Sequence, residues 1–262
     1  MKITCKTTLL PRLLIRGTLL TVSVSDEQPT FGIFVAGLAD GHTAVTVDWG
    51  DGTVETLPGL DATTHTYAEA GTYEVLLSDD IATLAVSSQN QAEFRDIYPK
   101  CLIDVESNAA NLLEIQPYGF YRAENLRRVG LKHSAITLIN TSAFASCTAL
   151  ESTSGLPDGL TSLANCAFDR CTGLRRIVYL PSGLVKLCAS VFRGCTGLSG
   201  RIDLPPFDKV ICTSTTEPFA QCTGITEIHF KSANEESIRA SLGFRQDNTL
   251  GTHSATCVFD LV

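Results

Sequence analysis

Cysteine is the residue with the most chemistry to offer in this chain, which carries ten of them. Thiols can bridge, ligate zinc or attack an electrophile, and their spacing decides which. Cys147, Cys171, Cys195 and Cys222 each stand in a near-copy of one nonapeptide: SAFASCTAL at 142–150, CAFDRCTGL at 166–174, SVFRGCTGL at 190–198 and EPFAQCTGI at 217–225. There is no CxxC pair and no Cys/His spacing of a zinc site, so no metal centre is expected. A thiol held at one place in a repeated unit is expected to be buried, reduced and small, touching its counterparts in neighbouring units.

The remaining reactive types are scattered. His42, His65, His133, His229 and His253 have no carboxylate and nucleophile at a recognisable spacing. P-loop, nucleophile elbow, dinucleotide-binding glycines and HExxH are all missing. A polysaccharide-active enzyme would need a carboxylate pair in a cleft, and the repeats bring few acids together. No catalytic residues and no cofactor are expected. Asp48, Asp51 and Asp61 could ligate calcium, but turn aspartates are common and the expected duty is local. Asn140-Thr141-Ser142 is formally a glycosylation sequon, a triplet that often arises by chance.

Charge narrows the partners. The formal net charge is -8 with a pI near 5.1, and no Lys/Arg cluster exceeds a pair. Nucleic acid and anionic membrane are therefore not expected partners. No apolar run approaches the roughly 20 residues of a membrane helix, so no membrane insertion is expected. Pro11, Arg12 and Arg16 interrupt the leucines near the start, and no secretory leader is expected there.

The elements that would position these residues follow from the repeat. Phe120, Phe144, Phe168 and Phe192 are spaced by 24 residues, and Phe219 follows after 27. Leu126, Leu150, Leu174, Leu198 and Ile225 lie six residues after the aromatic, and Leu131, Leu156, Leu180, Leu204 and Phe230 end the next apolar segment. A unit of this length makes one turn of chain and cannot bury its apolar side alone, so the units must stack as a solenoid. The order AF-x-x-C-x-x-L-x-x-I followed by LP-x-x-L-x-x-L resembles the BspA-like class of leucine-rich repeat, over roughly residues 95–232 and five copies. The resemblance implies a right-handed solenoid with a strand per coil, of a kind found in surface and adhesion proteins of host-associated microbes.

Upstream, VTVDWGDGTVETLPG and HTYAEAGTYEVLL resemble the polycystic-kidney-disease (PKD) domain through Trp49, Gly50, Asp51, Gly52 and Thr53, then His65, Thr66, Tyr67, Gly71, Tyr73 and Val75. That resemblance implies an immunoglobulin-like sandwich. Alternation in Leu20/Val22/Val24, Phe31/Ile33/Val35 and Val45/Val47/Trp49 supplies its earlier strands. Trp49 reads as a core plug, and Tyr67 as a ring whose hydroxyl ties a corner. Residues 1–16 would add an edge strand, and Ile81 to about Arg95 would link the parts stiffly.

The expected fold is mainly β: a PKD-like sandwich over 1–86, a leucine-rich-repeat solenoid over 87–232, and a cap over 233–262. The cap combines a short helix, with Ser232 or Asn234 as its start and Gly243 as its end, and a strand at 256–262. On the coil geometry that the resemblance implies, Arg128, Ser152, Ser154, Arg176, Val178, Glu227 and His229 form an outward row beside the strands, the candidate binding face. The expected function is non-catalytic recognition or adhesion, presenting this face to a protein or glycan at the cell surface, outside the cell or on a virion. Assembly with other surface or virion proteins, as a structural or receptor-binding part of a phage particle, is the alternative.

Overall fold

The structure, a computed structural model, describes residues 16–59, 62–152, 155–175, 180–204, 217–231, 236, 252 and 255–260. In chain order the strands are β1 (Gly17–Val24), β2 (Thr30–Leu38), β3 (Val45–Asp48), β4 (Val54–Leu57), β5 (Ala62–Thr66), β6 (Gly71–Ser78) and β7 (Ile81–Ala85). Helices α1 (Ala92–Asp96) and α2 (Tyr98–Cys101) come next, then β8 (Leu102–Ser107), β9 (Glu114–Ile115), β10 (Arg128–Gly130), β11 (Leu138–Ile139), β12 (Ser162–Leu163), β13 (Lys186–Leu187), β14 (Ser199–Leu204), β15 (Gly224–Lys231) and β16 (Thr256–Asp260).

The period-2 alternation does what half-buried strands require. Leu20, Val22 and Val24 of β1 and Phe31, Ile33 and Val35 of β2 are buried in one common core, although the two strands belong to different sheets. One sheet runs β10-β8-β1-β6-β3-β4 and the other β13-β12-β11-β9-β7-β2-β5. Within the N-terminal part the pairings are antiparallel.

Each sheet then changes character at one strand. β8 lies antiparallel to β1 on one side and parallel to β10 on the other. β7 does the same between β2 and β9. The sandwich therefore passes into the solenoid through two continuous sheets, and its core continues into the coils without a break. Residues 81–85, expected to begin the link, instead form β7, because Ile81, Leu84 and Ala85 are buried between two paired neighbours. The polar run beyond Val86 leads to α1 and α2, where Phe94 and Cys101 are buried.

In the coils the five aromatic rings form one stack. Successive pairs from Phe120 to Phe219 have centroids 5.0, 5.3, 5.5 and 5.5 Å apart and lie within 11° of parallel. Contacts of this kind add about 0.5–1.5 kcal/mol each beyond the area they bury. Around each ring the backbone hands hydrogen bonds to the next coil: the N–H groups of Ser142, Phe144 and Ser146 donate to the carbonyls of Asn165, Ala167 and Asp169. Left-handed residues at Ser142 and Ser146, repeated at Cys166 and Arg170, give the chain the curvature for this. The glycine of CTGL has its own cause, since a Cβ on Gly173 would lie 2.4 Å from the Thr148 carbonyl oxygen.

The far end is a parallel sheet of β14, β15 and β16. The strand expected over 256–262 is thus laid beside the last coil as β16. The expected cap helix lies outside the described residues except for Glu236, which is helical. Residues 1–15 and Asp61 also lie outside them.

Candidate functional site

The four repeat thiols have a more definite role than filling space. Cys147 donates its S–H to the Phe120 carbonyl at 3.2 Å, Cys171 to Phe144 at 3.1 Å, Cys195 to Phe168 at 3.0 Å and Cys222 to Phe192 at 2.9 Å. Each thiol thereby ties its coil to the aromatic residue of the coil before. Burial pushes the Cys171 and Cys195 thiols well above their ordinary range; the thiol of the coil before adds to this and that of the coil after opposes it. At Cys222 the bond to Cys195 and burial act in the same direction. The thiolate, the form that attacks electrophiles or binds metal, is disfavoured at these three positions. The described cysteines are free thiols. Sequence spacing located this ladder, but its acceptor carbonyls lie 27 or 30 residues back and only the coil geometry reveals them.

In the sandwich, Trp49, His65, Tyr67 and Tyr73 form a continuous aromatic cluster. Trp49 and His65 stack at 4.9 Å, and Tyr67 and Tyr73 stack at 4.0 Å. The Tyr67 hydroxyl donates to the Trp49 carbonyl at 3.0 Å, the corner tie expected of it. Asp48 accepts from the Gly50 N–H, while Asp51 accepts from the Thr53 N–H and meets His65 Nε2 at 2.7 Å. These carboxylates are engaged in local turns. Among the described residues no group of three His, Cys, Asp or Glu is placed to hold a metal ion.

The row of outward residues is partly visible. Arg128 in β10 is exposed, and its Nε and Nη2 donate to the two carboxylate oxygens of Asp104 in β8 at 3.0 and 2.7 Å. That pairing raises the guanidinium pKa further. Ser152 is half-buried in a single bridge position. Ser154, Arg176 and Val178 lie outside the described residues. Glu227 in β15 is exposed, whereas His229 is buried, with Nε2 2.9 Å from Glu227 Oε2.

Register extends the row beyond the residues that periodicity picked out. Asp104 and Glu106 of β8 stand beside Arg128 and Gly130, while Arg201 and Asp203 of β14 stand beside Glu227 and His229. A strict period of 24 points at Gly200 and Ile202 instead. The frame slips because Leu198 and Ile202 are one residue further apart than Ile225 and Ile228, with a register shift and a left-handed Gly200 at that point. Among the described residues of the row, Arg128 pairs with Asp104 and Arg201 with Asp203, and the His229 ring meets the Glu227 carboxylate.

A separate groove of about 340 Å³ runs between the end of β1 and the helices, lined by Val24, Gln28, Ile97, Lys100 and Cys101 among others. Burial pushes the Cys101 thiol up to about 11.

Residues 113–244, half of the 262-residue chain, match the BspA type leucine-rich repeat region in six copies. No curated protein matches the chain. Among solved structures, a leucine-rich repeat protein of T. pallidum is 23% identical, with a TM-score of 0.43 over 57% of this chain and 64% of that one. The chain thus spans just under two thirds of that protein's length. A leucine-rich repeat protein from Bacteroides ovatus is 16% identical, with a TM-score of 0.33 over 84% of this chain and 75% of the other.

Proposed function

The chain belongs to the BspA-type leucine-rich-repeat family, and from that premise we propose that it is a non-catalytic recognition protein whose solenoid presents an extended surface to a protein or glycan. The observation that carries this reading is the row from Asp104 and Arg128 through Arg201 and Asp203 to Glu227. It runs across parallel strands whose spacing is held by stacked rings and shared hydrogen bonds. A surface held this way loses little freedom when a partner docks, and preorganisation of that kind favours affinity. The row carries both signs of charge, Arg128 and Arg201 among Asp104, Asp203 and Glu227, which suits the mixed charge of a folded protein surface.

The sandwich is a PKD-like, immunoglobulin-like module that spaces or docks the solenoid. Supporting this are the tie from Tyr67 to the Trp49 carbonyl and the stack of His65 on Trp49. The setting is the cell surface, the extracellular space or a virion. A structural or receptor-binding part of a phage particle would use the same face and differ in its partner.

The test is an array of purified extracellular proteins and glycans probed with the labelled chain and with Arg128→Ala/Arg201→Ala. Binding to at least one arrayed molecule, weakened about tenfold or more in the variant at an unchanged circular dichroism spectrum, is the expected result; loss of one charge-assisted contact is worth about 1.5–3 kcal/mol. Equal binding by variant and parent would remove the row from the site.

A further inference from the structure

A second face of the solenoid has a different electrostatic character. Acids outnumber bases by 28 to 20 in this chain, and its arginines find them readily. Arg95, Arg122, Arg128, Arg193 and Arg201 all form ion pairs with carboxylates. Arg127, Arg170 and Arg175 are exposed, and no carboxylate lies within ion-pair distance of them among the described residues. Arg127 and Arg175 stand just before the strand position two coils apart, with the exposed Glu151 of the coil between them, and Arg170 lies on the preceding aromatic turn of the third coil, so that the three flank one corner. On the third coil the acid at hand, Asp169, is already taken by Arg193 in a two-pronged bond with both distances 2.8 Å.

Arg170 is also seated. It adopts a left-handed backbone, φ 57°, at a place where the next coil has glycine. Its methylene stem lies against that glycine, since a Cβ on Gly194 would be 3.3 Å from Arg170 Cγ. The arm is thus directed along the stack over a position with no side chain, towards the fourth coil. Between the Arg170 and Arg175 positions runs a column of exposed hydroxyls, Thr148, Thr172, Thr196 and Thr223, one in each coil after the first, where Glu124 stands. Coils here are spaced by about 5 Å, as neighbouring strands are.

We propose that this corner, with Arg170 and Arg175 as the charge-bearing contacts and Arg127 as an outlying third, binds a linear polysaccharide carrying carboxylate or sulfate groups. The planar guanidinium fork matches either anion in two-pronged fashion, and a regular column of hydroxyls offers donors and acceptors to sugar hydroxyls along a chain. A folded protein is the poorer fit, because protein interfaces rely on apolar or aromatic anchors. Among the described residues the exposed large apolar ones are Val54, Ile97, Leu113 and Val185, none of them on this corner. The proposal rests on reading the chain as a recognition protein, but it uses a different face from the strand row and names the ligand class.

The experiment titrates heparin oligosaccharide and oligogalacturonate into the full chain by calorimetry at low and at physiological salt, with oligoglutamate as a comparison. Three proteins are used: the parent, Arg170→Ala/Arg175→Ala and Arg128→Ala/Arg201→Ala. The expected result is binding of at least one acidic oligosaccharide that falls tenfold or more in the first variant, stays within twofold in the second, and weakens with salt. Both variants change exposed side chains, and matched melting temperatures confirm that the fold is retained. Failure of the parent to bind either oligosaccharide overturns the corner proposal and leaves recognition through the strand row standing. An equal loss in both variants places the contact across the strand face and also overturns it. Binding of oligoglutamate as tight as that of the sugars replaces the polysaccharide with an acidic peptide.

Discussion

The sandwich and the solenoid share two sheets and one core, yet they are held together by different logics. In the sandwich, strands distant in sequence pair antiparallel, as β1 does with β6 from Gly17↔Ser78 to Val24↔Gly71. Its packing hinges on contacts made once, such as the Trp49, His65, Tyr67 and Tyr73 cluster. In the solenoid every contact is made again a coil later: ring on ring, thiol to carbonyl, N–H to the next turn. Stability in such an array is close to a sum of coil and interface terms, so damage spreads to neighbours along the stack. In the sandwich, loss of a unique contact weakens the whole unit and has no counterpart elsewhere to share it.

The hardest blow to that contrast is a charge in the shared core. Leu174 is fully buried, and Leu174→Asp places an unpaired carboxylate between coils, a change in the class that costs about 4 kcal/mol or more. Limited proteolysis should find cleavage in coils on both sides of residue 174 while the segment from β1 to β6 resists. Cutting confined to the mutated coil would mean that the coils do not support one another.

Somewhat smaller, and sharper as a comparison, is the pair Phe168→Ala and Trp49→Ala. Each deletes a fully buried aromatic side chain, at about 3–5 kcal/mol. Hydrogen exchange should show lost protection around Phe144 and Phe192 in the first variant, with β3 to β6 intact. The second should reverse the pattern. Uniform loss across the chain in both cases would make sandwich and solenoid one cooperative unit, and the shared sheets the dominant feature.

A milder change addresses the thiol ladder. Cys171→Ala removes one S–H bond, but the Phe144 carbonyl keeps its bond from the Cys147 N–H, so urea titration should show a loss of about 1 kcal/mol. The native protein should also resist an aromatic disulfide reagent at its ladder cysteines and react there only after denaturation, because all four sulfurs are buried out of the reagent's reach. Bridged pairs found among these four cysteines by mass spectrometry would refute the ladder.

The smallest effect is an acid limb confined to the sandwich. Burial pushes the Asp51 carboxyl up, but hydrogen bonds from His65 and the Thr53 N–H outweigh it and leave the carboxyl below its ordinary 3.8. A carboxyl lowered on folding contributes stability that is present above its unfolded value and lost as pH falls through the lower folded one. Melting curves collected below about pH 4 should therefore fall less steeply in Asp51→Asn than in the parent. Identical acid limbs would show that the Asp51 to His65 contact has no energetic part in the turn.

The two regions also differed in how legible they were. Phe120 to Phe219 announced their stack because each ring meets its own kind at a nearly constant separation in sequence. Strand alternation in β1, β2 and β3 was equally plain. Less readable was β7, whose polar surroundings looked like a link until β2 and β9 were seen on either side of it. The strand row was legible at Arg128 and Glu227, but Arg201 and Asp203 were hidden by one extra residue before Ile202. Acceptors for the thiols were hidden too, since a carbonyl leaves no mark on residue type.

What the amino-acid sequence determined by itself was everything that repeats or alternates: the period, the buried faces and the need to stack. Such features are local, because burial at a fixed spacing writes the same residue type at the same spacing. Tertiary structure alone decided where antiparallel pairing turns parallel at β7 and β8, which carboxylate faces Arg128, and which arginines have no carboxylate within ion-pair distance among the described residues. Those outcomes depend on which distant backbones lie side by side and in what register, and a shift of one residue moves every side chain to the opposite face.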